Sequence, residues 1–298
     1  MELTLPKQLV QKTIYGTASK PDVILLCLHG NDGSEFMRAN PFLYDIADDS
    51  PETLDRFIKL EHDFGSSELA HTTAQSVESS GGTAHVVEAN IPRAILDLGR
   101  FSSEHAIRPI FIYAELNHLL TQLKQLHSEA MQSIQEALGE LKSDGKWLDI
   151  HTMSPHNPIF FDEKLSAPDA LTPAPGRLHQ YIDEYLLPGR TGTRRPINVA
   201  THVSENDTLV YDYELSKKIL KRLRTAGFGC EYNAPHAMNM TITAANLLDV
   251  HRRGTLLDFP KDSISKEEGL QCIERLHQLT LDKRKLLGCT TPIAAALC

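Results

Sequence analysis

Val23-Ile24-Leu25-Leu26-Cys27-Leu28-His29-Gly30-Asn31-Asp32-Gly33-Ser34 sets six apolar residues directly before an imidazole and a turn-forming cluster. Apolar residues without polar alternation mark a strand covered on both faces, the usual state of a parallel sheet between helix layers. The run is far too short to cross a bilayer. In open α/β sheets, ligands collect at the carboxyl ends of the strands. The search for chemistry therefore starts at His29 and the acidic residues that follow it.

Working outward, Thr83–Asn90, Trp147–His151, Ile197–Val203, Gly229–Asn233 and Thr255–Phe259 read as further short strands, rich in apolar or β-branched residues. Between them, the spacing predicts a long helix over Glu115–Leu141. Leu116, Leu119, Leu120, Leu123, Leu126, Ala130, Ile134, Leu138 and Leu141 recur there at three- and four-residue steps. Lys142-Ser143-Asp144-Gly145 stops it. Further helices are expected over Tyr213–Ala226, ended by Gly227, and over about Lys266–Leu286. This alternation predicts a three-layer α/β/α architecture around a mixed, largely parallel sheet, with residues 1–298 as one catalytic domain. Residues 154–196 interrupt the pattern. Prolines at 155, 158, 168, 173, 175, 188 and 196 argue against long regular elements there. That excursion directly follows His151 and carries Arg177, Arg190, Arg194 and Arg195, so it either roofs a site or is a solvated loop.

Composition narrows the class of partner. The 30 Lys and Arg against 39 Asp and Glu, a formal charge of −9, argue against a nucleic-acid or anionic-membrane partner. Met1-Glu2-Leu3-Thr4-Leu5-Pro6 shows no apolar signal core behind a basic start. The five cysteines are widely spaced and form no CxxC pair, which predicts free thiols in a reducing compartment and no cysteine-built zinc site. The expectation is a cytoplasmic protein whose partner is a small molecule.

Two further strand ends carry polar residues: Leu148-Asp149-Ile150-His151-Thr152-Met153-Ser154-Pro155 and Leu256-Leu257-Asp258-Phe259-Pro260. Two histidines and one carboxylate with an open fourth position form a common hydrolytic zinc site. The metal polarises a carbonyl and lowers the pKa of a bound water. His29 and Asp32 have the short spacing that one tight turn can present together, and His151 would arrive from a neighbouring strand. A competing reading takes Leu26-Cys27-Leu28-His29-Gly30 and Gly33-Ser34 as the oxyanion loop of an α/β-hydrolase. That fold needs a nucleophile elbow, and the candidates Ser102 and Ser204 lack the flanking small residues. A two-metal phosphoesterase would require more aspartates, asparagines and histidines than His29-Gly30-Asn31-Asp32 supplies. Arg93 and Arg100, shortly after a strand, could clamp an anionic group by bidentate hydrogen bonds, with Asp97 orienting one of them.

Taken in series, these motifs resemble the N-formylglutamate amidohydrolase family, relatives of the zinc carboxypeptidases and aspartoacylases. Leu28-His29-Gly30-Asn31 stands at the family's early Pro-His-Ser-Gly-like strand end, and His29-Gly30-Asn31-Asp32 is similar to the aspartoacylase His-Gly-Asn-Glu. Arg93 to Arg100 resembles Arg-x-x-x-Asp-Leu-Asn-Arg, with Gly99 for the Asn. Asp149-Ile150-His151-Thr152-Met153-Ser154-Pro155 after a long helix resembles Asp-x-His-Ser-Met-Pro. Gly227 to His236 resembles a Gly-(aromatic)-x-Val-x-x-Asn-x-Pro-Tyr stretch, and Leu256-Leu257-Asp258 falls at the final Gln-x-Glu. The likeness spans about residues 20–285.

What the resemblance implies is a phosphorylase/hydrolase-like α/β/α fold holding one catalytic Zn2+ per chain. His29 and His151 would be metal ligands, with Asp32 as the carboxylate ligand and Glu35 or Asp63 as its alternatives. Arg93 and Arg100 would hold a substrate carboxylate. Asp258 would be general base and acid in place of the usual Glu, and His236, in place of Tyr, would donate to the oxyanion. The implied reaction is hydrolysis of the amide bond of an acidic N-acyl amino acid or peptide-like substrate. The alternatives are a serine hydrolase and a catalytically inactive relative that binds a ligand.

Overall fold

In the computed structural model, the described residues are 2–113, 116–158, 175–186, 191–200, 202–203, 209–210, 212–232, 243–276 and 278–298. Its strands are β1 (Val10–Tyr15), β2 (Val23–Cys27), β3 (Ala84–Ala89), β4 (Lys146–Met153), β5 (His156–Pro158), β6 (Thr191–Arg194), β7 (Ile197–Ala200), β8 (His202–Val203), β9 (Leu209–Val210), β10 (Cys230–Tyr232) and β11 (Gly254–Pro260). The helices are α1 (Ser34–Ala39), α2 (Leu43–Ala47), α3 (Pro51–Glu61), α4 (Ser66–Ser79), α5 (Ser103–Ala106), α6 (Pro109–Tyr113), α7 (Asn117–Gly139), α8 (Leu178–Leu186), α9 (Tyr213–Thr225), α10 (Thr243–Val250), α11 (Gly269–Glu274) and α12 (Lys283–Leu297).

Seven strands form one sheet in the order β1-β3-β2-β4-β11-β7-β10. β3, β2, β4 and β11 run parallel, whereas β1 pairs antiparallel with β3 and β7 antiparallel with β11. Every residue of β2 is buried, as its unbroken apolar sequence requires. Alternate residues of the central strands feed two separate cores. Ile24, Leu26, Leu28 and Trp147 pack with α3 and α7 on one face. Val23, Leu25, Leu148, Ile150 and Leu257 pack with α4, α9 and α12 on the other. The architecture is three-layer α/β/α around a mixed, mostly parallel sheet.

The excursion is more regular than its prolines suggest. The proline-free interval between Pro175 and Pro188 forms α8, whose Tyr181 and Ile182 join the core beside Phe57. β5 and β6 pair as a short antiparallel ribbon. The expected helix over Lys266–Leu286 is also replaced. Ser265 bridges Leu281, the Lys266 amide donates to Thr280, and Asp282 caps a separate α12 by accepting from the Arg284 and Lys285 amides. Local capping by Asp282 thus restarts the helix where periodicity alone ran through it. All five cysteines are free thiols, four of them buried. Among the described residues, no helix is long and apolar enough to cross a membrane.

Candidate metal centre

Strand β2 ends at Cys27, and two residues later the buried His29 projects from the carboxyl edge of the sheet. Gly30, Asn31 and Asp32 then turn the chain into α1. The Asn31 side chain accepts the Gly33 amide at 2.8 Å and the Asp32 side chain accepts the Ser34 amide at 2.9 Å. These two local hydrogen bonds commit the turn. Asp32 is exposed and stands outside the histidine cluster, as does the exposed Glu35 in the first turn of α1.

The carboxylate beside His29 belongs to Asp63 instead. It follows α3, whose start is set by Ser50 accepting the Thr53 amide and by Pro51 at the first turn. Beyond the helix, the His62 ring meets the Gly30 carbonyl at 3.1 Å and the Asp63 amide donates to the His29 carbonyl at 3.1 Å. The buried Lys261 Nζ donates to the His62 carbonyl at 2.7 Å. On the other side, the Thr152 amide donates to Asp63 Oδ2 at 3.3 Å and the Thr152 hydroxyl to the Phe64 carbonyl at 3.0 Å. Asp63 is thereby pinned between the ends of β2 and β4.

His29 Nδ1 lies 3.3 Å from Asp63 Oδ2, and His151 Nδ1 lies 2.9 Å from the same oxygen. The two rings meet edge to face, with centroids 4.7 Å apart. Each turns its other nitrogen to a buried carboxylate: His29 Nε2 to Asp97 Oδ1 at 2.7 Å, His151 Nε2 to Asp149 Oδ2 at 3.0 Å. A carboxylate at such a distance only accepts, so we place the His29 proton on Nε2 and assign the Gly99 amide to Asp97 Oδ1, 3.0 Å away. The Asp149 contact is an ion-pair approach without hydrogen-bond geometry, and neither Asp149 oxygen has a hydrogen-bond partner among the described residues.

This donor set fits a divalent metal. Two imidazole Nδ1 atoms and a carboxylate oxygen converge within 4.8 Å of one another. Ligands about 2.0–2.2 Å from a tetrahedral zinc stand roughly 3.3–3.6 Å apart, so small movements would suffice. Carboxylates behind metal-bound histidines fix the tautomer and raise ligand basicity. Within the cluster the buried charges compensate one another. Burial opposes charge on His151, but Asp149 and Asp63 outweigh it and hold its pKa well above the ordinary value. Burial likewise opposes charge on Asp63, and the histidines and Arg93 outweigh it to hold that carboxyl far below its ordinary range.

The arginines surround this cluster. Arg93 reaches Asp63 Oδ1 at 3.3 Å, Asp97 Oδ2 at 3.4 Å and Glu61 Oε2 at 3.9 Å. Arg100 Nε lies 3.7 Å from Asp97 Oδ2. Arg108, absent from the sequence reading, pairs with Glu61 at 2.6 Å, and Tyr181 donates to the other Glu61 oxygen at 2.7 Å. No sequence motif marks Arg108 or Tyr181. Each reaches Glu61 only through tertiary packing.

Asp258 is the cross-strand partner of His151 and, on its other side, of Asn198. Residues paired across adjacent strands share a face, so Asp258 stands on the same face as His151. Its Oδ1 is buried without a hydrogen-bond partner among the described residues. Burial is the main cause that pushes its carboxyl up to about 6; the His151 charge opposes the rise, Asp63 adds to it, and the buried Arg195 also opposes it. A carboxyl poised there can both take and return a proton near neutrality.

His236 and Ser204 lie outside the described residues. Ser102, the other serine candidate, contacts the exposed His105 at 2.6 Å just before the four-residue α5. It follows no strand, so it has no nucleophile-elbow geometry.

No family model matches the chain, and no curated protein matches it. Among solved structures, the N-formylglutamate amidohydrolase from Ralstonia eutropha JMP134 aligns with a TM-score of 0.56 and 9% identity over 96% of this chain and 95% of that one. The gene product Atu2144 from Agrobacterium tumefaciens aligns with a TM-score of 0.53 and 17% identity over 90% of this chain and 92% of that one. At these identities, the likeness is one of fold.

Proposed function

We propose that the chain is a zinc-dependent amidohydrolase of the N-formylglutamate type, cleaving the amide bond of an acidic N-acyl amino acid or peptide-like substrate. The observation that carries this reading is the convergence of His29 Nδ1, Asp63 Oδ2 and His151 Nδ1 beside Asp258 on one sheet edge. The fold shared with a solved N-formylglutamate amidohydrolase supports it.

His29, Asp63 and His151 would hold the metal, Asp63 taking the place that sequence spacing offered to Asp32. A divalent ion there supplies Lewis acidity to the scissile carbonyl. The chain's own residues do the rest. Asp97 keeps the His29 ring proton on Nε2, and the Asp149 charge beside His151 Nε2 favours the same choice there, which leaves both Nδ1 atoms toward Asp63. Arg100, with its side chain 38% exposed, binds the substrate carboxylate, and Arg93 assists while compensating Asp63 and Asp97. Asp258 accepts the proton of the attacking water on a carboxylate oxygen and hands it to the leaving nitrogen.

The test compares N-formyl-L-glutamate, N-acetyl-L-glutamate and N-formyl-L-leucine by amine release. We expect turnover of the acidic substrates, loss of it after dialysis against dipicolinate, and recovery on adding zinc. Arg100→Ala should raise KM for the acidic substrates at least about tenfold, with a smaller effect on kcat. Activity that survives chelation, or none on any acidic N-acyl substrate with zinc supplied, would refute the proposal.

A further inference from the structure

At the opposite end of the sheet, the lining of a hollow of about 400 Å³ includes Lys146, Lys217, Lys218, Lys221, Asp212 and Glu214. Lys146 opens β4, five residues before His151, so the hollow lies on the order of 17 Å from the metal centre along the strand. Helix α9 builds most of it. Leu215, Ile219, Leu220 and Leu223 fix one face of α9 in the core, which turns Lys217, Lys218 and Lys221 outward. Lys146 Nζ rests on the Leu297 carbonyl at 2.6 Å, and Lys217 lies 5.3 Å from the Tyr213 ring centre. Lys218 and Lys221 have no ion-pair partner among the described residues.

The acidic groups nearby offset only part of this charge, since four lysines meet Asp212 and Glu214 in the lining. Asp212 is spent capping α9, where it accepts the Leu215 amide at 2.9 Å. Glu214 is exposed in the first helical turn, and Asp144 is exposed in the turn before β4. Two further exposed cations follow on the same sheet end. Arg253 receives the Trp147 amide on its carbonyl, and Arg252 precedes it. A chain of net charge −9 thus sets six of its 30 lysines and arginines at this end of the sheet.

We propose that this hollow is a second ligand site, for a molecule carrying clustered phosphate groups. Ammonium groups act as point charges toward phosphate oxygens, whereas planar carboxylates are matched by arginine forks. The four lining cations are all lysines. The volume suits a small ligand. The site is independent of the hydrolytic reading and stands or falls without it.

Isothermal titration of the full chain with sodium tripolyphosphate, at low and physiological salt, tests it. Native protein should bind at one site, and Lys218→Ala/Lys221→Ala should weaken binding at least about tenfold. Lys283→Ala/Arg284→Ala, two exposed cations at the far end of α12, should bind as native does. Circular dichroism and metal-centre turnover should be unchanged in both variants. Vesicle sedimentation separates the sources. Capture by phosphatidylinositol bisphosphate vesicles, but not by phosphatidylserine vesicles of equal charge, points to a lipid headgroup. Capture by neither, with tripolyphosphate still bound, points to a free ligand. Binding that survives Lys218→Ala/Lys221→Ala, falls equally in the control variant, or follows vesicle charge alone would overturn the site.

Discussion

A group that shuttles a proton must be able to exist in both forms near the working pH, and Asp258 is placed for that at a cost in stability. Its carboxyl is pushed up to about 6 chiefly by burial. Between about pH 4 and 6 the folded protein therefore holds a proton that the unfolded chain releases, and stability falls as pH rises through this window. Asp258→Asn should abolish turnover while retaining metal. Metal-free Asp258→Asn should be more stable than native by ~1–3 kcal/mol at pH 8, the gap closing toward pH 4. Calorimetric Tm values across that range check it, and a variant no more stable at pH 8 would remove the buried-base reading. Gly99 makes a second residue-scale case. A Cβ there would lie 2.6 Å from His29 Cε1, so Gly99→Ala should weaken zinc binding about 10–100-fold, as loss of supporting groups around a metal does. Competition with a zinc-chelating dye measures it, and native affinity in that variant would show that His29 does not need this space. The two histidines and Asp258 were legible because each stands toward the carboxyl end of a short strand-like run. Asp63 was not, beyond being one of three alternatives: it lies 34 residues from His29 and is brought there by the α3 carboxyl end, which local spacing does not encode.

Helix α3 is the element that delivers Asp63, so its start bears on the metal at its end. Ser50 accepts the Thr53 amide at 3.1 Å. Ser50→Ala should cost about 1 kcal/mol, lowering Tm by roughly 2–4 °C in a chain of this size. It should also weaken zinc binding by less than about tenfold, since Lys261 and the strand ends still hold the Asp63 loop. A zinc affinity lost outright would mean that the loop has no support beyond its helix. At this scale the sequence was most readable where one periodicity acted alone. The apolar stripe of α7 and the unbroken run of β2 each dictate burial directly. The edge strand β1, half-exposed and with Gln11, Lys12 and Thr13 polar in succession, carries a weaker signal. α12 was hidden by a stretch whose helical period continued across the Asp282 cap.

Over the whole molecule, charge is organised by place. Around the candidate centre, the buried Glu61, Asp63 and Asp97 face Arg93 and Arg108, and the buried Asp149 faces His151. Buried carboxylates in such number are tolerable only when paired or coordinated. A bound divalent ion should therefore stabilise the entire fold by mass action. Chelation should lower Tm by several degrees, reversed by zinc, and an unchanged Tm would show that folding does not draw on the ion. The three-layer class and the strand-end placement of His29, His151 and Asp258 followed from the sequence pattern, whereas the sheet order that sets β2, β4 and β11 side by side and the charge network between distant helices did not. The most direct test of the metal assignment is elemental analysis of protein loaded with zinc and freed of excess. Native protein and Asp32→Asn should each retain about one zinc per chain, and Asp63→Asn should retain almost none. A metal-free native protein, or zinc lost from Asp32→Asn but kept by Asp63→Asn, would contradict the centre built on His29, Asp63 and His151.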